Sequence, residues 1–198
     1  MAGDPRRTLA EAPMKRPQIV AIALCALLNA LDGFDVLSIS FAAPGIAQEW
    51  GVDRAALGIV LSMELIGMMA GSIGLGLLCD RIGRRPMILA CLVIMGSGMG
   101  LAMNAGNIET LSIFRLYTGL GIGGMLAATS AVAAEFANAR RRNMAVAIMA
   151  AGYPIGAIVG GSIASMMFAA GYDWRSVFAL GAGATLLCIP LIWFLLPE

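Results

Sequence analysis

Residues 19–41 read IVAIALCALLNALDGFDVLSISF, and two features of that stretch decide the fold. It is apolar over the ~20 residues that a helix needs to cross a hydrocarbon core of about 30 Å. It also carries two aspartates, Asp32 and Asp35, where lipid should surround the chain. Five further apolar runs follow, at residues 57–78, 87–103, 111–134, 144–170 and 177–196. The chain is 60% hydrophobic and 13% charged, with a mean hydropathy of +0.86, against roughly a quarter charged in a soluble domain. A water-soluble fold has no means of hiding that much apolar surface. Backbone in lipid must satisfy its hydrogen bonds within a helix or a closed barrel, and the runs lack the two-residue alternation of barrel strands. The expected fold is an all-α membrane protein, a bundle of six transmembrane helices over residues 18–198 behind a polar tail at 1–17.

The first run is too long for a signal-peptide core and no small-residue cleavage pattern follows it, so the tail reads as retained and cytoplasmic. With that start inside, the inner segments hold Arg6, Arg7, Lys15 and Arg16, then Arg81, Arg84 and Arg85, then Arg140, Arg141 and Arg142. The outer loops hold only Arg54 and Arg175. That asymmetry puts both termini in the cytoplasm of a cell whose inner (plasma) membrane is crossed several times. Lysine is nearly absent while alanine and glycine abound, which suggests a bacterial source. A net charge of +1, with the basic residues scattered over separate loops, offers no patch for nucleic acid. Cys25, Cys79, Cys91 and Cys188 have neither paired nor metal-type spacing and read as small apolar packing residues. Connections are short, the longest outer loop running over residues 42–56. All function must therefore lie in or between the helices. Glycines at four-residue spacing, Gly67 with Gly71, Gly96 with Gly100, Gly119 with Gly123 and Gly156 with Gly160, read as close helix contacts.

The chemistry-bearing residues are those that should not be in lipid: Asp32 and Asp35 in the first span, Glu64 in the second and Arg115 in the fourth. Each costs roughly 2.5 to 3.5 kcal/mol at a helix centre unless it has a cavity, a partner or a bound proton. Asn29, Asp32 and Asp35 recur every third residue and share one broad helix face, which should look into the bundle. At about 1.5 Å per residue, Asp35 lies ~24 Å and Arg115 ~22 Å from the inner side, so the two can meet. The expected pair is Arg115 with Asp35, released by protonation or by an anionic substrate. The chain has no histidine, so a proton carrier near neutral pH must be one of these carboxyls, held in a poorly hydrated site. The face of Glu64 is open at this level.

The stretch Gly76-Leu77-Leu78-Cys79-Asp80-Arg81-Ile82-Gly83-Arg84-Arg85 resembles the signature loop of the major facilitator superfamily. Further resemblances to the superfamily are Arg115 followed by Gly119, Gly121 and Gly123 in the fourth span, and Trp174-Arg175 with Phe178 and Gly181 opening the sixth. Asp32-Gly33-Phe34-Asp35 is similar to the first-span motif of the superfamily's aromatic acid:proton symporters, of the 4-hydroxybenzoate and benzoate type. The resemblance implies that Asp32 and Asp35 serve proton coupling or substrate recognition, that Arg115 sits in a central cavity, and that Asp80, Arg81, Arg84 and Arg85 form a cytoplasmic gate. On chemistry alone, Gly76 and Gly83 allow a tight turn, Asp80 can accept from the free amides of the next helix, and the arginines can clamp Glu135. Glu64 stands where the resemblance implies a small or apolar residue. Gly152-Tyr153-Pro154-Ile155-Gly156 resembles the antiporter glycine-proline motif only loosely, which favours import over export.

Superfamily members pair two six-helix halves, each of inverted three-helix repeats, around a site between them. The chain thus reads as an amino-terminal half, completed by a second half that is covalent in a longer protein, a separate chain or a second copy. The expected function is secondary active import of small organic anions, aromatic acids foremost, by proton symport. It needs no cofactor or metal beyond the proton gradient and is not an enzyme. Other readings are transport of sugars, other metabolites or drugs, and a non-transporting subunit or fragment. An intramembrane aspartyl protease needs carboxyls facing each other across a site, whereas Asp32 and Asp35 lie on one helix.

Overall fold

The computed structural model describes residues 16–138 and 141–196, and Arg6, Arg7, Lys15 and Arg140 lie outside them. Its six helices are α1 (Arg16–Trp50), α2 (Arg54–Ile82), α3 (Arg84–Ala102), α4 (Ile108–Phe136), α5 (Arg142–Ala169) and α6 (Arg175–Leu195). Each is long and apolar enough to cross a membrane. Their ends follow local chemistry. Asp53 caps α2 by accepting from the Ala56 amide at 2.9 Å, and Asn107 caps α4 by accepting from Thr110 at 2.8 Å. Gly83 is the whole joint between α2 and α3. It takes φ 96°, a value that side chains with a Cβ resist, while its amide closes α2 on the Cys79 carbonyl at 3.0 Å.

The expected outer loop at 42–56 is largely helix, because α1 continues through Pro44 to Trp50. Ala42 and Ile46 are fully buried and extend the core against Trp174 and Phe178, so tertiary packing outweighs the one hydrogen bond lost at the proline. Gly51, at φ 63°, then ends the helix with its amide on the Ala47 carbonyl.

Packing has an internal repeat. Helix α1 lies along α5 as α4 lies along α2, α3 packs on α6, and α1 and α4 meet at the centre. Exchanging α1–α3 with α4–α6 maps this arrangement onto itself, as expected of a 3+3 repeat. Glycines make the two tightest seams. A Cβ on Gly67 or Gly71 would strike the Leu116 or Leu120 carbonyl of α4, and one on Gly119 or Gly123 would strike the Glu64 or Met68 carbonyl of α2. On the other seam, Gly33 abuts the Tyr153 carbonyl, while Gly152 and Gly156 abut those of Ala26 and Ala30. The Gly96 and Gly100 pair departs from this reading: Gly96 packs on Leu186, but nothing approaches Gly100 within 4 Å.

Helices α2 and α5 turn large apolar side chains outward, among them Met69, Ile73 and Leu77 of α2 and Ile155, Ile158 and Met166 of α5. Such flanks suit lipid or a partner of the same nature rather than water. Inside, apolar side chains form two clusters. One holds all four cysteines, free and buried, with Leu24, Leu28, Met95 and Met125. The other holds Phe34, Ile46, Leu111, Trp174 and Phe178. Along α1, α4 and α6 one cluster gives way to the other, and the buried polar residues Asp32, Arg115 and Thr185 fall between them.

Candidate functional site

Between the clusters, Asn29, Asp32 and Asp35 of α1, Glu64 of α2 and Arg115 of α4 are each no more than 2% exposed. The three-residue spacing on α1 therefore does present one face to the interior, and Glu64, whose face the sequence left open, joins it. Arg115 forms an ion pair with Glu64 through Nη2 and Oε1. The same Nη2 donates to the backbone carbonyl of Asp35 at 2.7 Å, and Nη1 contacts the Met99 sulfur at 3.2 Å. The Phe178 ring centre lies 5.7 Å from the guanidinium carbon.

This corrects the expected pairing of Arg115 with the Asp35 carboxylate. The reason is steric and directional. Gly119 lets α4 press against α2 beside Glu64, so that the Glu64 carboxylate reaches the guanidinium first. The Asp35 carboxyl turns instead toward α6, where its Oδ1 would stand 3.1 Å from a Cβ on Gly181. Its main-chain carbonyl, left facing Arg115, accepts also from Ser38 Oγ at 2.6 Å. Asn29 ties α1 to α5 by donating from Nδ2 to the Met149 carbonyl at 2.8 Å.

The layer thus has three carboxyl groups and one guanidinium. Both oxygens of Asp32, both of Asp35 and Oε2 of Glu64 are buried without a hydrogen-bond partner among the described residues. Buried polar groups are normally satisfied, and buried charge is normally paired. Two acids in excess of their counter-ion, in an apolar surround, are equipped to take up positive charge. Ionisable residues inside membrane helices are rare and mark substrate or ion pathways, proton relays or voltage sensors, which makes this layer the candidate site.

A second charged group sits at the end of the bundle that carries the basic residues. Arg84, the first residue of α3, donates from Nη1 to Asp80 Oδ1 at 2.6 Å and from Nη2 to Glu135 Oε1 at 2.8 Å. The clamp on Glu135 is as expected, but two details differ. Asp80 takes the Arg84 side chain rather than backbone amides. Gly76 lies within α2, where an added Cβ would lie 3.3 Å from that of Ala127, so it serves packing and only Gly83 makes the turn. Arg85 stacks 5.1 Å from the Trp193 ring centre and donates to the Trp193 carbonyl. Arg81 is exposed in the last turn of α2 and is not drawn into the clamp. Sequence reasoning missed Met99 as a partner of Arg115, since a methionine in an apolar run carries no signal. It also placed Arg175 as an outer-loop charge within a family motif without foreseeing its partner, Glu49.

Six membrane-length helices in two interlocked triplets, enclosing an ion-paired acidic layer, define an all-α polytopic membrane protein. The sequence profile of the Major Facilitator Superfamily matches residues 24–198. The chain belongs to that superfamily. It is 35% identical over 195 residues to the 4-hydroxybenzoate transporter PcaK of Acinetobacter baylyi, covering 98% of this chain and 42% of that protein. It is 34% identical over 188 residues to the gallate transporter of Pseudomonas putida, covering 94% and 41%. Among solved structures, the partially occluded inward-open conformation of the xylose transporter XylE from E. coli matches with a TM-score of 0.79 at 20% identity. That match covers 93% of this chain and 49% of the other, and it bears on the fold alone. The chain spans about two fifths of the length of the curated relatives it matches.

Proposed function

We propose that the chain, through residues 18–198, forms the amino-terminal half of a secondary transporter that imports small aromatic carboxylates with protons across a bacterial inner membrane. The observation that carries this reading is the buried layer in which three carboxyls are set against one arginine, only Glu64 pairing with it. In it, Asp32 and Asp35 are the proton-binding groups, and Arg115 is the cation for which Glu64 and the carboxylate of the cargo compete. Proton binding to an aspartate lowers the excess negative charge of the layer, so an arriving anion meets less repulsion as it competes with Glu64 for the guanidinium. The names of the two relatives supply the aromatic acid class. Both termini lie in the cytoplasm, consistent with Arg16, Arg81, Arg84, Arg85, Arg141 and Arg142 gathering at one end. A second six-helix half completes the transporter, and the apolar flanks of α2 and α5 suit it or lipid. The Asp80, Arg84 and Glu135 clamp, with Gly83 at its turn and Arg81 and Arg85 beside it, belongs to the inner gate.

The test is uptake in whole cells expressing the protein at full length. Labelled 4-hydroxybenzoate should accumulate faster in mildly acidic than in alkaline medium, should be retained against excess xylose, and should be lost with a protonophore. Uptake that xylose abolishes, or that ignores the protonophore, would overturn the reading.

A further inference from the structure

The outer end of the bundle carries a second charged clamp built to the plan of the first. Glu49 is the penultimate residue of α1 and Arg175 is the first of α6. Arg175 grips the Glu49 carboxylate with both Nη atoms, each at 2.7 Å, and Nη1 reaches Asp173 Oδ2 at 2.9 Å. At the inner end, Glu135 is the penultimate residue of α4, Arg84 is the first of α3, and Asp80 precedes Arg84. The repeat exchange that carries α4 onto α1 and α3 onto α6 therefore carries Glu135 onto Glu49 and Arg84 onto Arg175. The two triplets cross the membrane in opposite directions, so the same operation carries the inner face onto the outer.

The outer clamp is also joined to the buried layer. Trp174 Nε1 donates to Glu49 Oε2 at 2.6 Å. The Trp174 ring meets Trp50 and Phe178 edge to face, with centroids 5.3 and 5.8 Å apart, and Phe178 in turn faces Arg115. Trp174 and Phe178 are at most 2% exposed. Edge-to-face and cation–π contacts are directional and short-ranged. A shift of the start of α6 against the end of α1 would thus move the Phe178 ring over the guanidinium.

We propose that Glu49, Asp173 and Arg175 form an outer gate clamp, the repeat counterpart of the inner one, and that Trp174 and Phe178 are positioning residues linking its state to Arg115. The inference takes alternating access from the transporter reading above, but not the cargo. Opening the outer clamp favours the outward-open state, whereas opening the inner clamp favours the inward-open state.

The reporter is a cysteine at the exposed Gln48, which lines a cavity of about 520 Å3 with Glu49, Tyr172 and Trp174. The native cysteines are buried and give little background. A membrane-impermeant thiol reagent is applied outside intact cells expressing the full-length protein. In the Gln48→Cys background, Glu49→Gln keeps an acceptor for Trp174 but removes the charge, and labelling should rise about three- to tenfold. Arg84→Ala should lower it. Equal rates in all three, or a rise in both variants, would overturn the clamp. The link is read from a double-mutant cycle: Arg115→Lys should change the labelling rate, and Phe178→Leu should suppress that change. Additive effects would overturn the link. None of these rates depends on which acid is carried, so a wrong cargo would show in the uptake test and leave this one standing.

Discussion

Arg115→Ala is expected to abolish uptake and to destabilise the protein by roughly 3 to 5 kcal/mol, the range for removing one partner of a buried ion pair. Its guanidinium is wholly enclosed and serves three groups at once: the Glu64 carboxylate, the Asp35 carbonyl and the Met99 sulfur. Removing it leaves three carboxyls in an apolar layer with no counter-ion among the described residues. Arg115→Lys retains the charge but not the planar fork, so one ammonium on a flexible stem must stand in for Nη2 on Glu64 and the Asp35 carbonyl, and the Nη1 contact with Met99 is lost. Uptake in that variant should fall by a factor on the order of ten, the loss of one charge-assisted hydrogen bond. Thermal unfolding in detergent, run beside transport, checks both variants. An Arg115→Ala protein as stable as the wild type would show that Glu64 does not depend on the arginine.

The second large effect concerns backbone rather than charge. In Gly33→Ala, the new methyl group runs into the Tyr153 carbonyl, and the Tyr153 carbonyl carbon would lie 2.9 Å from it. Since the obstacle is main chain in a helix, no rotamer change relieves it. Helices α1 and α5 must part, and overpacking of this kind costs roughly 1 to 3 kcal/mol. Because Gly33 lies between Asp32 and Asp35, uptake should fall with stability. Gly74→Ala in α2 is the control: nothing lies within 4 Å of that site, so the helix-favouring methyl should leave stability unchanged or raise it by up to about 1 kcal/mol. Equal melting temperatures for the two variants would contradict the packing of α1 on α5.

These two sites also mark how far the sequence could be read. The six spans were legible because lipid leaves an apolar helix few alternatives, and the glycine stripes were legible because small residues at four-residue spacing have a recognised use. Burial of Asp32, Asp35 and Arg115 followed from their cost in lipid. Which carboxylate meets Arg115 did not follow, because depth along a helix fixes a level and not a direction. That choice depended on Gly119 drawing α4 against α2 and on Gly181 leaving room for Asp35 beside α6. The outer clamp was hidden for another reason. Its three residues come from two chain segments joined only once α1 runs on to Trp50, and an apolar count has no means of foreseeing helix beyond Pro44. The cytoplasmic motif, being contiguous but for Glu135, was visible as a string.

The central claim is that the acidic layer takes up a proton together with an anion. It is met most directly by proton movement in unenergised membrane vesicles bearing the full-length protein. On addition of 4-hydroxybenzoate, the medium around wild-type vesicles should turn transiently alkaline as protons enter with the anion. Vesicles carrying Asp32→Asn and Asp35→Asn together should still exchange labelled for unlabelled 4-hydroxybenzoate but give no alkaline transient. A transient of wild-type size in the double variant would contradict the account.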